Sequence, residues 1–403
     1  MPSPSDKLVA VDLGTAKTVV VVGGVNDIGE IKIDAVGLTE STGMEGGAIV
    51  DIDATVESIK KAIDHAELVS DTKVVSCYVG ISGNSISCVN SNSMVTLARQ
   101  VVHEEDISRV IEAARSTARV SKDTRILHTI AHGFTLDSSS PVRDPKGMSA
   151  LRLDADIQLI CANEYTLRNI ETCFSRLGIQ IDGIVLNQLA ESYEVLDESE
   201  KKQGVCLVKI GAGTTDVGIY LDGALRYYGY LPAGGDLVTE DMLSAIHTKA
   251  SNAEEIKQKY ACAKSDLARG DQLINIPEAG KHSTRAMQRS TLADIIEPRY
   301  TEIFHLIDQE IEKSRLKRRL YSGGIVLTGG GAKIEGAEAL AVEIFRMPVR
   351  LGYSDAFQAN GLSGPEYSTA LGLLKYAITH NKASPKSHKT TTSILSVLNR
   401  WFK

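Results

Sequence analysis

The sequence lacks several features that would assign a function quickly. Its six cysteines, Cys77, Cys88, Cys161, Cys173, Cys206 and Cys262, contain no CxxC pair, which removes zinc-ribbon and dithiol redox readings. They read as reduced thiols, mostly small apolar core residues. No apolar run approaches the ~20 residues that cross a bilayer as a helix; Thr18-Val-Val-Val-Val-Gly23 is one example. The short polar start, Met1 to Lys7, is unlike a signal peptide, so a cytoplasmic chain is expected. The net charge is only −7 and aromatics make up 5%, which excludes nucleic acid as the main partner. There is no GxxxxGK[ST], since Gly280-Lys281 is followed by His282, and no GxGxxG opens a helix after a strand.

What is present is an ordinary globular composition, 43% hydrophobic and 24% charged over 403 residues. That length allows two or three domains. A strand over Leu8–Leu13, a turn at 14–17 and a strand over 18–22 open the chain. Helix periodicity follows at Val56, Ile59, Lys60 and Ile63, then a strand over 74–81 ending in Ser82-Gly83-Asn84. Residues 84–163 read as a separate small unit. It has short strands at 86–89 and 94–97, a helix from Glu104 with Ile107, Val110, Ile111 and Ala114 on one face, and longer strands near 125–134 and 151–160. A helix over Glu164–Arg176 leads to a strand at 183–186. The second half starts with strands Val205–Ile210 and 217–221, with Asp222-Gly223 as a tight hairpin turn. Helices fill most of 236–268 and 291–319. A strand at 324–328 runs into Gly329-Gly330-Gly331, with a helix from about Glu335. The stretch 379–391 is a polar, basic linker.

One unit recurs. A strand–turn–strand element occurs at 9–22 and again at 205–221, with turns Asp12-Leu-Gly14-Thr15-Ala16-Lys17 and Lys209-Ile-Gly211-Ala-Gly213-Thr214-Thr215-Asp216. Glycine lets a backbone approach a ligand closely. Such turns present N–H groups and threonine hydroxyls to an anion. Two of them facing each other can clamp a polyphosphate from both sides. A single Gly-Thr turn is more often a plain hairpin; two, with a strand–Gly-Gly-Gly–helix element, favour a nucleotide.

Asp12–Lys17, Ile210–Asp216 and Leu327–Ala332 resemble the phosphate-1, phosphate-2 and adenosine motifs of the actin/Hsp70/sugar-kinase superfamily. Within it, the chain from about residue 7 onward resembles the FtsA family of bacterial cell-division proteins. The stretches that carry this are 12–17, 292–302 (Leu-Ala-Asp-Ile-Ile-Glu-Pro-Arg-Tyr-Thr-Glu), 324–336 and 367–373, together with the inserted unit. The resemblance implies an actin-like, two-lobed α/β fold with duplicated mixed sheets, an inserted 1C-type subdomain and a C-terminal amphipathic helix. It divides the chain into 1–83 and 164–203 (subdomain 1A), 84–163 (1C), 204–235 (2A), 236–319 (2B), 320–378 (return to 2A/1A), a linker at 379–391 and a membrane helix at 392–403.

By the same resemblance ATP is the cofactor, with Mg²⁺ reached through water from Asp12. Gly14, Thr15, Ala16 and Lys17 would line the phosphates on one side. Lys209, Gly211, Gly213, Thr214 and Thr215, with Gly234 and Gly235, would do so on the other. Glu254 and Lys257 would meet the ribose, or form an ordinary solvated i,i+3 pair. Gly329, Gly330 and Gly331 would pass beside the adenosine. The chain also departs from its family. Lys209 stands where the second phosphate turn usually has aspartate, and Ala212 where it has glycine. Lysine cannot ligate Mg²⁺; it reaches the phosphates as a point charge or points away. Asn187 aligns with a carboxylate that orients attacking water, and it cannot take a proton. Asp12 and Asn187 are therefore weak catalytic candidates, and the expectation is nucleotide binding with little or no hydrolysis.

The last residues carry Ile394, Leu395, Leu398, Trp401 and Phe402 on one helical stripe. Arg400 and Lys403 lie on the other side, and Trp401 is the chain's only tryptophan. Indoles favour the bilayer interface, and Lys382, Lys386 and Lys389 would be drawn to anionic lipid. The segment reads as a weak, reversible membrane anchor or as a helix docked on the protein's own core. The resemblance adds partners: the FtsZ C-terminal peptide, with Arg285, Arg299 and Glu302 as candidate contacts; further copies of the chain as a homopolymer; and later division proteins through subdomain 1C. It places the chain on the inner face of the cytoplasmic membrane at the division site. Competing readings are an actin-like scaffold of pilus or secretion assembly, and a sugar-kinase-like phosphotransferase.

Overall fold

The computed structural model describes residues 7–26, 28–137, 139–270, 272–277, 283–353 and 362–381. Two five-stranded mixed sheets form its frame. In the first, Leu8–Leu13 pairs antiparallel with Lys17–Val25, which pairs antiparallel with Ile31–Glu40. On the other side Ser76–Ile81 joins Leu8–Leu13 in parallel, and Gln180–Leu186 joins Ser76–Ile81 in parallel. The second sheet repeats this plan. Val205–Ile210 pairs antiparallel with Thr215–Leu221, which pairs with Ala224–Leu231; Ile325–Thr328 and Val349–Leu351 extend it in parallel.

The register makes the two hairpins superimposable in sequence terms. Leu13 faces Thr18 as Ile210 faces Thr215, and Asp12 faces Val19 as Lys209 faces Asp216. Continuous valine runs suit strands covered on both faces. Val9, Val11, Val20 and Val22 pack with Ile59, Ala62 and Ile63 of helix Ile52–Ser70. Their neighbours Ala10, Val19 and Val21 pack with Ala370, Leu371 and Leu374 of helix Ser368–Asn381 on the opposite face. Each such burial contributes roughly 1.5–3 kcal/mol.

Between the sheets in sequence lies a three-stranded antiparallel sheet, ordered Ile86–Thr96, Arg152–Asn163, Thr124–Leu136. Helix Glu104–Thr117 covers it with Ile107, Val110, Ile111 and Ala114. The two short strands expected at 86–89 and 94–97 are one strand of 11 residues. The polar run Asn90-Ser-Asn-Ser93 reads as a break, but its backbone pairs with 155–158 without interruption. Ser91 also donates to the Ala114 carbonyl at 2.7 Å.

Helices Gly235–Ile246, Ala250–Tyr260 and Arg289–Lys313 pack on the second sheet around Ile296, Tyr300, Ile303 and Phe304. A hairpin, Leu273–Pro277 with Thr284–Gln288, sits beside them. It is absent from the expectations, although Ile274 and Ile276 are buried between exposed Leu273 and Asn275, a two-residue alternation. The six cysteines are free, and five are buried. No helix among the described residues is long and apolar enough to cross a membrane.

Candidate functional site

The two glycine turns meet between the lobes. In the first, Gly14 N–H donates to the Lys17 carbonyl at 3.1 Å. In the second, Gly211 N–H donates to the Thr214 carbonyl at 2.8 Å. A third turn closes on both: the hairpin Met44–Glu45 with Ala48–Ile49. Its Gly47 N–H donates to Thr15 Oγ1 at 3.2 Å, and Tyr230 Oη donates to the Gly46 carbonyl at 3.3 Å. Across the gap, a Cβ on Gly213 would stand 3.3 Å from both Gly46 and Thr15.

Behind the second turn starts helix Gly235–Ile246. Gly235 and Asp236 donate to the Gly211 and Ala212 carbonyls at 2.9 and 2.8 Å. Gly234 is required there, because a Cβ would lie 2.4 Å from the Ala212 carbonyl oxygen. Glu254 and Lys257 reinforce the same helix start. Lys257 Nζ lies 2.6 Å from Glu254 and donates to the Gly235 carbonyl and to Thr239, at 2.9 and 2.7 Å. Its side chain is 13% exposed and that of Glu254 40%, so the lysine end of the pair braces the helix start while the glutamate stays partly in solvent. Burial works against the Glu254 charge, but Lys257, Gln258 and Thr239 outweigh it and hold the carboxyl below the usual range.

Gly329 to Gly331 form the third wall. Gly329 N–H donates to the Pro365 carbonyl at 3.1 Å, and the Gly331 carbonyl accepts from Tyr300 Oη at 2.7 Å. Both glycines lie against Ile210 of the second turn. A 3₁₀ turn, Gly330–Lys333, follows the motif, and the helix expected from about Glu335 is Ala337–Phe345.

The floor of the cleft is charged. Lys209 Nζ stands 3.1 Å from Glu191 Oε1 and donates to Thr369 Oγ1 at 2.8 Å, and Thr369 donates to Glu191 at 2.6 Å. The lysine therefore neither points away nor extends freely; its ammonium is held across the cleft. Burial opposes its charge, yet Glu191, Asp12 and Asp216 around it hold its pKa above the ordinary lysine value. The carboxyls respond the other way. Burial pushes Glu191 up to about 7, partly offset by Lys209 and Thr369. Burial also raises Asp12, against Lys209 and Thr369, and Asp216, against Lys209, Tyr228 and Ser82. Asp12 Oδ1, Asn187 Oδ1, Glu191 Oε2 and Asp216 Oδ2 are buried without a hydrogen-bond partner.

Helix Asn187–Val195 supplies part of this floor, and sequence reasoning took only Asn187 from it. The i,i+4 pair Asn187 and Glu191 was the available signal. Gln188 on the same helix donates to the Leu207 and Asp216 carbonyls at 3.2 and 3.0 Å, tying it to the second sheet. Tyr228, Thr369 and the Met44–Ile49 turn were missed as well, and Asp216, though inside the second turn motif, was given no role. Tyr228 links the lobes: its hydroxyl donates to Asp216 at 2.6 Å and accepts from Gly83 N–H at 3.2 Å.

The fold and this cleft have known counterparts. The family model described as cell division protein FtsA matches residues 206–372, and that of the SHS2 domain inserted in FtsA matches 83–161. The cell division protein FtsA of Pseudomonas aeruginosa is 41% identical, over 98% of this chain and 97% of its own. The chain belongs to the FtsA family. The FtsA of Escherichia coli K12 is 38% identical with the same coverage. Among solved structures, a PilM–PilN type IV pilus biogenesis complex matches with TM-score 0.64 at 15% identity, covering 92% of this chain and 98% of that one. MreB5 of Spiroplasma citri bound to ADP matches with TM-score 0.56 at 14%, covering 92% and 95%. These structures share the actin-like fold.

The FtsA-type partner candidates lie apart from the cleft floor. Arg285 is on the strand Thr284–Gln288, not on a helix, and donates to the Ile246 carbonyl at 3.1 Å. Arg299 makes a two-pronged bond to Asp241, at 2.6 and 3.0 Å, and also pairs with Glu302. Both arginines thus reach helix Gly235–Ile246. The anchor residues Ile394, Leu395, Leu398, Arg400, Trp401, Phe402 and Lys403, and the linker from 382, lie outside the described residues.

Proposed function

We propose that this FtsA-family chain binds ATP in the cleft, polymerises on the inner face of the cytoplasmic membrane, tethers FtsZ there and helps recruit later division proteins. The observation that carries the nucleotide reading is the pair of glycine turns facing each other, backed by a third glycine wall. Gly14, Thr15, Ala16 and Lys17 would hold phosphates from one side and Gly211, Gly213, Thr214 and Thr215 from the other. Gly234 and Gly235 support the second turn from behind. Glu254 and Lys257 would meet the ribose, and Gly329, Gly330 and Gly331 the adenosine. Among the fold neighbours, MreB5 was solved with ADP.

Hydrolysis is slow or absent in this reading. Asn187 cannot accept a proton, and Glu191, the carboxylate one turn along, is engaged by Lys209 and Thr369. The chain is then a structural nucleotide binder, divided into the subdomains set out from the sequence. The terminal stripe from Ile394 to Phe402 gives modest, reversible lipid binding. Polymerisation multiplies it through effective concentration. Arg285, Arg299 and Glu302 offer the FtsZ peptide a charged surface, on which a peptide carboxylate would exchange with Asp241 for Arg299. The pilus-scaffold reading has only the shared fold behind it.

Co-sedimentation with anionic vesicles, with and without ATP and FtsZ, tests this. The full chain is expected to pellet with lipid and bring FtsZ down, more strongly with ATP. A chain lacking 393–403 should stay in the supernatant; unchanged pelleting would refute the anchor.

A further inference from the structure

We propose that the cleft holds its nucleotide without a divalent metal, the Lys209 ammonium standing as the fixed cation among Asp12, Glu191 and Asp216. This rests on the nucleotide reading above and concerns what accompanies the nucleotide.

Four observations support it. First, by strand register Lys209 is the counterpart of Asp12, so the lysine stem occupies the place from which a second turn carboxylate would face the first. Second, the ammonium is not free to swing out. It is 3.1 Å from Glu191, 2.8 Å from Thr369, and its side chain is only 15% exposed. Third, Mg²⁺ needs near-octahedral oxygen ligands and keeps several of its waters. An ammonium lodged among the carboxylates takes that room and repels a second cation. Fourth, burial raises the Glu191 pKa, so its carboxyl attracts a divalent ion less than an exposed carboxylate would. Asp12 and Asp216 both interact electrostatically with the lysine charge. The phosphates would be held by turn N–H groups, threonine hydroxyls and Lys17, none of which needs a metal.

The test is binding of a fluorescent ATP analogue to the full chain, in excess EDTA and in Mg²⁺. Wild type is expected to bind with affinities within about twofold of each other in the two media, while Lys209→Asp, which restores a carboxylate, binds at least about tenfold tighter with Mg²⁺. A tenfold or greater loss for wild type in EDTA overturns the proposal and leaves nucleotide binding standing. Binding in neither medium removes both. A second measurement needs no variant: nucleotide-loaded wild type, exchanged into Mn²⁺ and desalted, should carry no Mn²⁺ by paramagnetic resonance. Close to one Mn²⁺ per retained nucleotide would overturn the proposal.

Discussion

The two phosphate-type hairpins share a frame and differ in charge. Both are antiparallel strand pairs of the same register, closed by a glycine turn and extended by two parallel strands. At the equivalent position the first presents Asp12 and the second Lys209; opposite them stand Val19 and Asp216. The frame depends on what the backbone requires: glycine at the turn, and β-branched residues in strands covered on both faces. The charge is decided by what lies across the cleft. Asp12 faces the lysine, and the lysine is held by Glu191 from a helix that belongs to neither hairpin. One turn thus carries a carboxylate and the other an ammonium paired with a carboxylate from outside the hairpin.

The largest effect should come from breaking that pair. Lys209→Met leaves Glu191 buried with only Thr369 as partner, and about 3–5 kcal/mol of stability should be lost at pH 8 in denaturant unfolding. Lys209→Met with Glu191→Met should recover most of it; a single variant costing under about 1 kcal/mol would mean the pair is not held. Burial of Glu191, only partly offset by Lys209, also sets a pH dependence. Glu191, pushed up from 4.5 to about 7, binds its proton more tightly in the folded chain. Its contribution is full below the unfolded value and is lost as pH rises through about 7. Glu191→Gln should flatten that stretch of the Tm–pH profile.

A middle-sized effect concerns Asp216, the residue opposite the lysine. Tyr228→Phe removes its short hydrogen bond and the acceptor for Gly83. A loss of about 1–2 kcal/mol is expected, with faster amide exchange at Gly83. Unaltered exchange there would show that the tyrosine does not link the lobes. The smallest effect is at Ala212, where the second turn departs from the family's glycine. Ala212 is not among the positive-φ residues. Ala212→Gly should therefore cost only about 0.5–1 kcal/mol, from the freer unfolded chain. A gain in stability would mean that the alanine is strained.

Much of this frame was legible. The repeated strand–turn–strand unit, the inserted unit and the helix face Ile107, Val110, Ile111, Ala114 all follow from local spacing. So does the Asp222-Gly223 turn, whose residues both have positive φ. What escaped depends on distant packing. Asn90–Ser93 looks like a loop until Arg152–Asn163 pairs with it. Glu191 looks like a surface charge on a short helix until Lys209, 18 positions away, is placed beside it. Thr369 enters the floor only because the helix Ser368–Asn381 crosses Asn187–Val195 closely, where a Cβ on Gly372 would lie 2.2 Å from the Ala190 carbonyl oxygen. The Leu273–Gln288 hairpin is short, and its alternation is outweighed by helical stretches on both sides.

That crossing helix has a mechanical consequence. Its 14 residues make a rod about 21 Å long. Thr369, its second residue, touches both members of the ion pair, and Asn381 is its last residue. The rod is clamped along its length by the valine strands on one side and a helix on the other. A rod so held bends little, so a shift where the lysine and glutamate engage Thr369 would be carried to its far end at Asn381.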